Sequence, residues 1–277
     1  MKKKIFAFSI MLVFTGFLLF LNNCKKAEQD DISVIAKDNA IADKAFADVK
    51  SMSDNAANNN SSFFIAETEQ SMFGSNVVIT YDTVNNNKRI TIDFGTTNTL
   101  CSWDGAYRRG KIIITYTGKY RDPGTIITIT FDNYAVDDNE IDNISSKTIT
   151  NNGRNTSGKL TYTVQVTSKI LTYDKRTVTW TSTRTNEWIA GENTIFNWQD
   201  DEYLITGNAS GISGSGNPWT ISVTKALHVK LNCRWITEGT VDILPSGKLN
   251  IVLDYGNGNC DHLATATYNG KVNQIVM

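Results

Sequence analysis

Alternation broken by regular turns is the feature that most constrains this chain. Four times a glycine and a lysine precede a run of alternating residues: Gly110-Lys111-Ile112, Gly158-Lys159-Leu160, Gly247-Lys248-Leu249 and Gly270-Lys271-Val272. Asn87-Lys88-Arg89-Ile90 and Asp174-Lys175-Arg176-Thr177-Val178 are variants of the same device. Glycine supplies positive φ at a turn, and lysine starts the next strand at a solvated rim. Hairpins repeated in this way make an antiparallel meander. Inside the strands the period is two. In Leu160-Thr161-Tyr162-Thr163-Val164-Gln165-Val166 the even positions are apolar, and Thr177-Val178-Thr179-Trp180-Thr181 does the same. Thr125 to Phe131 alternates with Ile127, Ile129 and Phe131 on one side. Such a sheet has one dry face and one wet face. The dry face must be covered by the sheet curling on itself, by a second sheet, or by a helix.

One segment has helical rather than strand periodicity. Ile41, Ala45, Val49 and Met52 recur at spacings of three and four, with Phe46 beside them, and Asn58-Asn59-Asn60-Ser61-Ser62 ends the pattern. The expected fold is mainly β: a large antiparallel meander, open, strongly curled or barrel-like, with one N-terminal helix over about 38–57. Nothing in the composition marks a boundary within 37–277, which is read as a single domain. The 27 basic and 28 acidic residues leave a formal charge of −1, so no electrostatic footprint for nucleic acid exists.

The N-terminus carries an address. Lys2, Lys3 and Lys4 precede an apolar run from Ile5 to Leu21, and the chain turns hydrophilic at Cys24. This is the plan of an export signal over 1–23, followed by a solvated tether over 24–36. Leu21-Asn22-Asn23-Cys24 resembles the lipobox of bacterial lipoproteins. The charged stretch Lys25-Lys26-Ala27-Glu28-Gln29-Asp30-Asp31 resembles the export signal of surface lipoproteins in Bacteroidetes-type Gram-negative bacteria. The resemblance implies acylation of Cys24, anchoring in the outer membrane, and a body facing the cell surface or the periplasm. It also implies kinship with uncharacterised all-β lipoproteins of that type. The alternative is an uncleaved membrane anchor, for which the apolar run lies at the short end of spanning length. With Cys24 assigned to lipid, Cys101, Cys233 and Cys260 remain. Cys233 and Cys260 are the nearest pair, but intervening strands of a flat meander would hold them beyond the ~7 Å Cα limit of a disulfide. Their bridge requires a curled sheet or a folded-over Gly256-Asn257-Gly258-Asn259 loop.

Chemistry-bearing motifs are few. Gly207 to Gly216 lacks the last glycine of a nucleophile elbow and the helix of a phosphate loop, and reads as a hairpin loop. Asp137-Asp138-Asn139-Glu140-Ile141-Asp142 lacks the spacing of a calcium loop and reads as a hairpin turn. Trp180 falls on an apolar strand face and reads as core. Trp103, Trp188, Trp198 and Trp219 lie near turns or strand ends, where a ring could be exposed. Trp188, Trp198, Asp200, Asp201 and Tyr203 together form the candidate ligand-binding group, since carboxylates beside aromatics suit sugar contact. No catalytic residue, metal or cofactor is expected. The reading is a non-enzymatic binding or structural module with a glycan or envelope protein as partner. The alternatives are a lipocalin-like carrier of a small apolar ligand, and a glycan-processing enzyme centred on Asp200, Asp201 and Glu202.

Overall fold

The computed structural model describes residues 34–46, 49, 73, 74, 76–82, 88–102, 104–194 and 197–277, without the Trp198 side chain. The signal, Cys24, most of the expected tether and Trp103 lie outside the described residues. Helix α1 covers 34–46. The strands follow in chain order: β1 (Val78–Asp82), β2 (Arg89–Asp93), β3 (Thr99–Leu100), β4 (Tyr107–Tyr116) and β5 (Ile126–Val136). Next come β6 (Asn139–Ile141), β7 (Ser146–Arg154), β8 (Leu160–Leu171), β9 (Thr177–Ala190) and β10 (Glu202–Ile212). The last are β11 (Pro218–Lys230), β12 (Ile236–Pro245), β13 (Ile251–Asn257), β14 (Leu263–Tyr268) and β15 (Lys271–Val276). They form one antiparallel sheet in near-sequential order, with β3 on β4 and β7 between β5 and β8 as the departures. This is the large antiparallel meander that the alternation implies.

The core lies on the inner face. Ile90, Ile112, Ile129, Tyr162, Trp180, Ile221, Val241, Leu253 and Ile275 belong to a single apolar cluster that runs from β2 to β15 and includes Phe46 of α1. The sheet therefore curls around its helix. β1 and β15 end the hydrogen-bonded order, so side chains rather than a backbone ladder close the curl. Arg234, in the β11–β12 connection, donates to the Asp137 carboxylate in the β5–β6 turn and to the Asp104 carbonyl oxygen in the β3–β4 connection. Lys44 of α1 joins the same seam, 3.3 Å from Asp137 and over the ring of Trp235. Asp137 is held below the usual carboxylate range: burial pushes it up, but the Tyr107 N–H and the cations Arg234 and Lys44 outweigh that.

Four expectations are sharpened or corrected. The helix begins by residue 34, so residues 34–36 are not tether: Ile35 and Ala36 are fully buried. Its inward stripe is Ile35, Asp38/Asn39, Ala42, Ala45/Phe46 and Val49, while Ile41 is only half-buried. Two polar residues in the stripe hide its start from a hydrophobicity reading. Gly110 is not at a turn. It sits inside β4 with φ 78°, at the bulge between Arg109 and Lys111, where a Cβ would come within 2.1 Å of the Asn133 carbonyl oxygen. The Gly207–Gly216 stretch is loop only from Ser213 onward, because Gly207 and Gly211 are strand residues of β10.

The fourth is the disulfide. Cys233 and Cys260 are bonded, with Cα atoms 5.8 Å apart. A bulge between Glu238 and Thr240 lets β13 bend back along β12, and the Gly258 N–H bonds the Thr237 carbonyl oxygen. The folded-over loop thus brings two connections together across the intervening hairpin. With the cysteines 27 positions apart in sequence, reduction should cost about 3.5 kcal/mol. The measurement is urea unfolding with and without reductant, and coincident curves would contradict it.

Candidate functional site

The expected ligand group does not form an exposed platform. Trp188 and Tyr203 are both fully buried and stacked at 5.6 Å, as neighbours in register on β9 and β10. Tyr120 meets Trp188 edge-on at 5.9 Å and stacks on Tyr162 at 4.6 Å, while the Arg121 guanidinium lies 4.6 Å over the indole. Asp201 is 2% exposed, and its carbonyl oxygen accepts the Leu231 N–H. Among the described side chains of this group Asp200 alone remains partly accessible, and its carboxylate accepts the Thr194 hydroxyl, while the Trp198 side chain lies outside the described residues. Trp219 is likewise buried. The reason is the length of β9. Its period of two runs unbroken from Val178 to Trp188, which puts every even residue inside. Counting on from Trp180 reaches Trp188 directly, but Ser182, Arg184 and Asn186 interrupt the apolar signal between them.

The structure brings a different set together, in the concavity between α1 and the middle of the sheet. The Asp43 side chain, 8% exposed, faces Arg184 of β9 with Nη2 3.4 Å from Oδ1. Asn39 Nδ2 and the Tyr255 hydroxyl both donate to Asp43 Oδ2, at 3.0 and 3.2 Å. Burial pushes the Asp43 carboxyl up despite Arg184 and these two bonds. Burial also pushes the Tyr255 phenol well up, with the Asp43 charge adding to it. One turn earlier, Asp38 clamps two hairpin turns at once. It takes a bond from Arg176 in the β8–β9 turn and from the Gly214 N–H in the β10–β11 turn. Further along the helix, Lys147 Nζ of β7 donates to the Phe46 carbonyl oxygen at 2.6 Å.

Phe46 itself stacks on Trp180 at 5.7 Å and meets Phe131 edge-on at 5.9 Å. Apolar packing and buried charge together therefore fix the helix in the curl. Sequence reading reached Phe46 and Trp180, but it missed Asp38, Asp43, Arg176 and Arg184. Their partners are between 138 and 141 residues away, so no local spacing links them.

The outer face carries a groove of about 750 Å³ at the ends of β9 to β12. Thr179, Thr181, Ser210 and Thr220 supply hydroxyls, while Ile212 and Leu244 stand 45% and 52% exposed. This lining offers hydroxyl hydrogen bonding and one cation, Lys248, beside apolar surface. No group of three or more His, Cys, Asp or Glu is placed to hold a metal ion among the described residues. No family model, no curated protein and no solved structure matches this chain.

Proposed function

We propose that the chain is an exported protein, acylated at Cys24, that serves at the outer membrane as a non-enzymatic binding or structural module. The observation that carries the reading is the Cys233–Cys260 bridge, since structural disulfides form and persist in oxidising compartments outside the cytosol. It agrees with the export-like N-terminus read from residues 1–24. The outer groove between Thr179 and Leu244, rather than the buried Trp188–Tyr203 pair, is the contact surface in this reading. Its hydroxyls and exposed aliphatic groups suit a glycan or an envelope protein. Two or more acyl chains would hold the body stably at the membrane.

Mass spectrometry of the mature protein tests the anchor. The expected N-terminus is Cys24 with added acyl mass, and Cys24→Ala should move the protein from the membrane to the soluble fraction. An unmodified Met1 would end the proposal.

A further inference from the structure

Arg184 is 5% exposed, yet of its guanidinium nitrogens Nε and Nη1 have no hydrogen-bond partner. Its bond to Asp43 uses Nη2 alone and is long, at 3.4 Å. Arg184 is the centre of a row. Five successive inward positions of β9, namely Trp180, Ser182, Arg184, Asn186 and Trp188, each carry a buried polar atom without a partner. Folded proteins pair nine-tenths or more of such groups, so five in succession on one strand face call for something that supplies partners. Beside Arg184 and Ser182, the middle of the row, the flanking strands cannot supply them. Opposite Arg184 stand Val164 on β8 and Gly207 on β10, and opposite Ser182 stand Val166 and Ala209. None of the four has a side-chain polar atom. On the β10 side, glycine and alanine also leave the inner surface bare beside the guanidinium.

The chemistry of the row selects its occupant. Its unpartnered atoms are mostly N–H donors, from Arg184, Trp180 and Trp188, joined by the Ser182 hydroxyl and by one acceptor, Asn186 Oδ1. Excess donors around a cation that Asp43 holds through a single long bond suit an acceptor-bearing anion. Asp43, bonded to the same guanidinium, opposes a second negative charge and so disfavours a dianion. The planar fork of arginine matches the two oxygens of a carboxylate. We propose that this row is a binding site for a small monocarboxylate, with its oxygens on Arg184 and Ser182 and its body against Val164, Val166 and Ala209. The site does not depend on acylation of Cys24.

The test is calorimetric titration and thermal melting of the purified protein with sodium acetate, against sodium phosphate at matched ionic strength. Acetate is expected to bind saturably and raise the melting temperature, with phosphate far weaker. Ser182→Ala should weaken acetate about tenfold, the loss of one hydrogen bond to a charged group, and Arg184→Met should abolish binding. Should Arg184→Met not fold, Ser182→Ala decides alone. The proposal is overturned by no saturable acetate response, by equal binding of phosphate, or by unchanged affinity in Ser182→Ala. It is equally overturned by a crystal structure grown with acetate that shows only water beside Arg184.

Discussion

Arg108→Leu is expected to lower the unfolding free energy by about 3–5 kcal/mol, the cost of leaving a buried charge without its partner. Arg108, on β4, is fully buried, and its guanidinium grips Asp104 through Nη1 at 2.9 Å and Nη2 at 2.6 Å. The Asp104 side chain is 1% exposed, so water cannot take over when the cation is removed. Asp104 also sits where the curl closes, because its carbonyl oxygen accepts from Arg234. A double variant separates the pair from its surroundings. Arg108→Leu with Asp104→Leu removes both charges and should recover most of the loss, since an apolar pair of similar volume replaces a buried ion pair at little cost. Urea unfolding of the parent, the single and the double variant gives the answer. A single variant within about 1 kcal/mol of the parent would show that the pair is not the buried, unsolvated contact described.

The second large effect concerns the helix. Phe46→Ala should cost about 3–5 kcal/mol, the usual range for emptying a buried aromatic site. The ring is 3% exposed and lies between Phe131 of β5 and Trp180 of β9, two strands that do not pair with each other. It thereby ties distant parts of the curl through α1. Removal of the ring also brings solvent towards Trp180, so its fluorescence should shift to the red in the folded variant. Unchanged stability with an unchanged spectrum would mean that the helix does not pack on Trp180.

These two sites show different degrees of legibility. Phe46 and Trp180 were both readable as inward-facing, one by a helical period and the other by a strand period, though not as partners. Asp104 and Arg108 were not singled out, since four residues apart in a turn and a strand they look like ordinary surface charge. The same holds for Asp43 and Arg184. Hydrophobic patterning detects burial only where burial is apolar. A buried ion pair has the composition of a solvated one, and only the surrounding fold distinguishes them. The Trp188 reading failed for the related reason that polar residues on the inner face of β9 concealed a continuous strand.

What the sequence by itself determined was local and periodic: strands of period two, turns at Gly158, Gly247 and Gly270, and a helix ahead of the sheet. Each depends on residues close in the chain, whose backbone preferences and side-chain alternation act without regard to the rest of the molecule. The tertiary structure alone decided how far the sheet curls, that the helix lies inside it, that Cys233 reaches Cys260, and that Arg184 is buried with donors to spare. Those outcomes rest on contacts between residues far apart in the chain, through bulges at Gly110 and Gly239 and the seam at Asp137. Alternation says which face of each strand is dry, but it carries no information about what that face will meet.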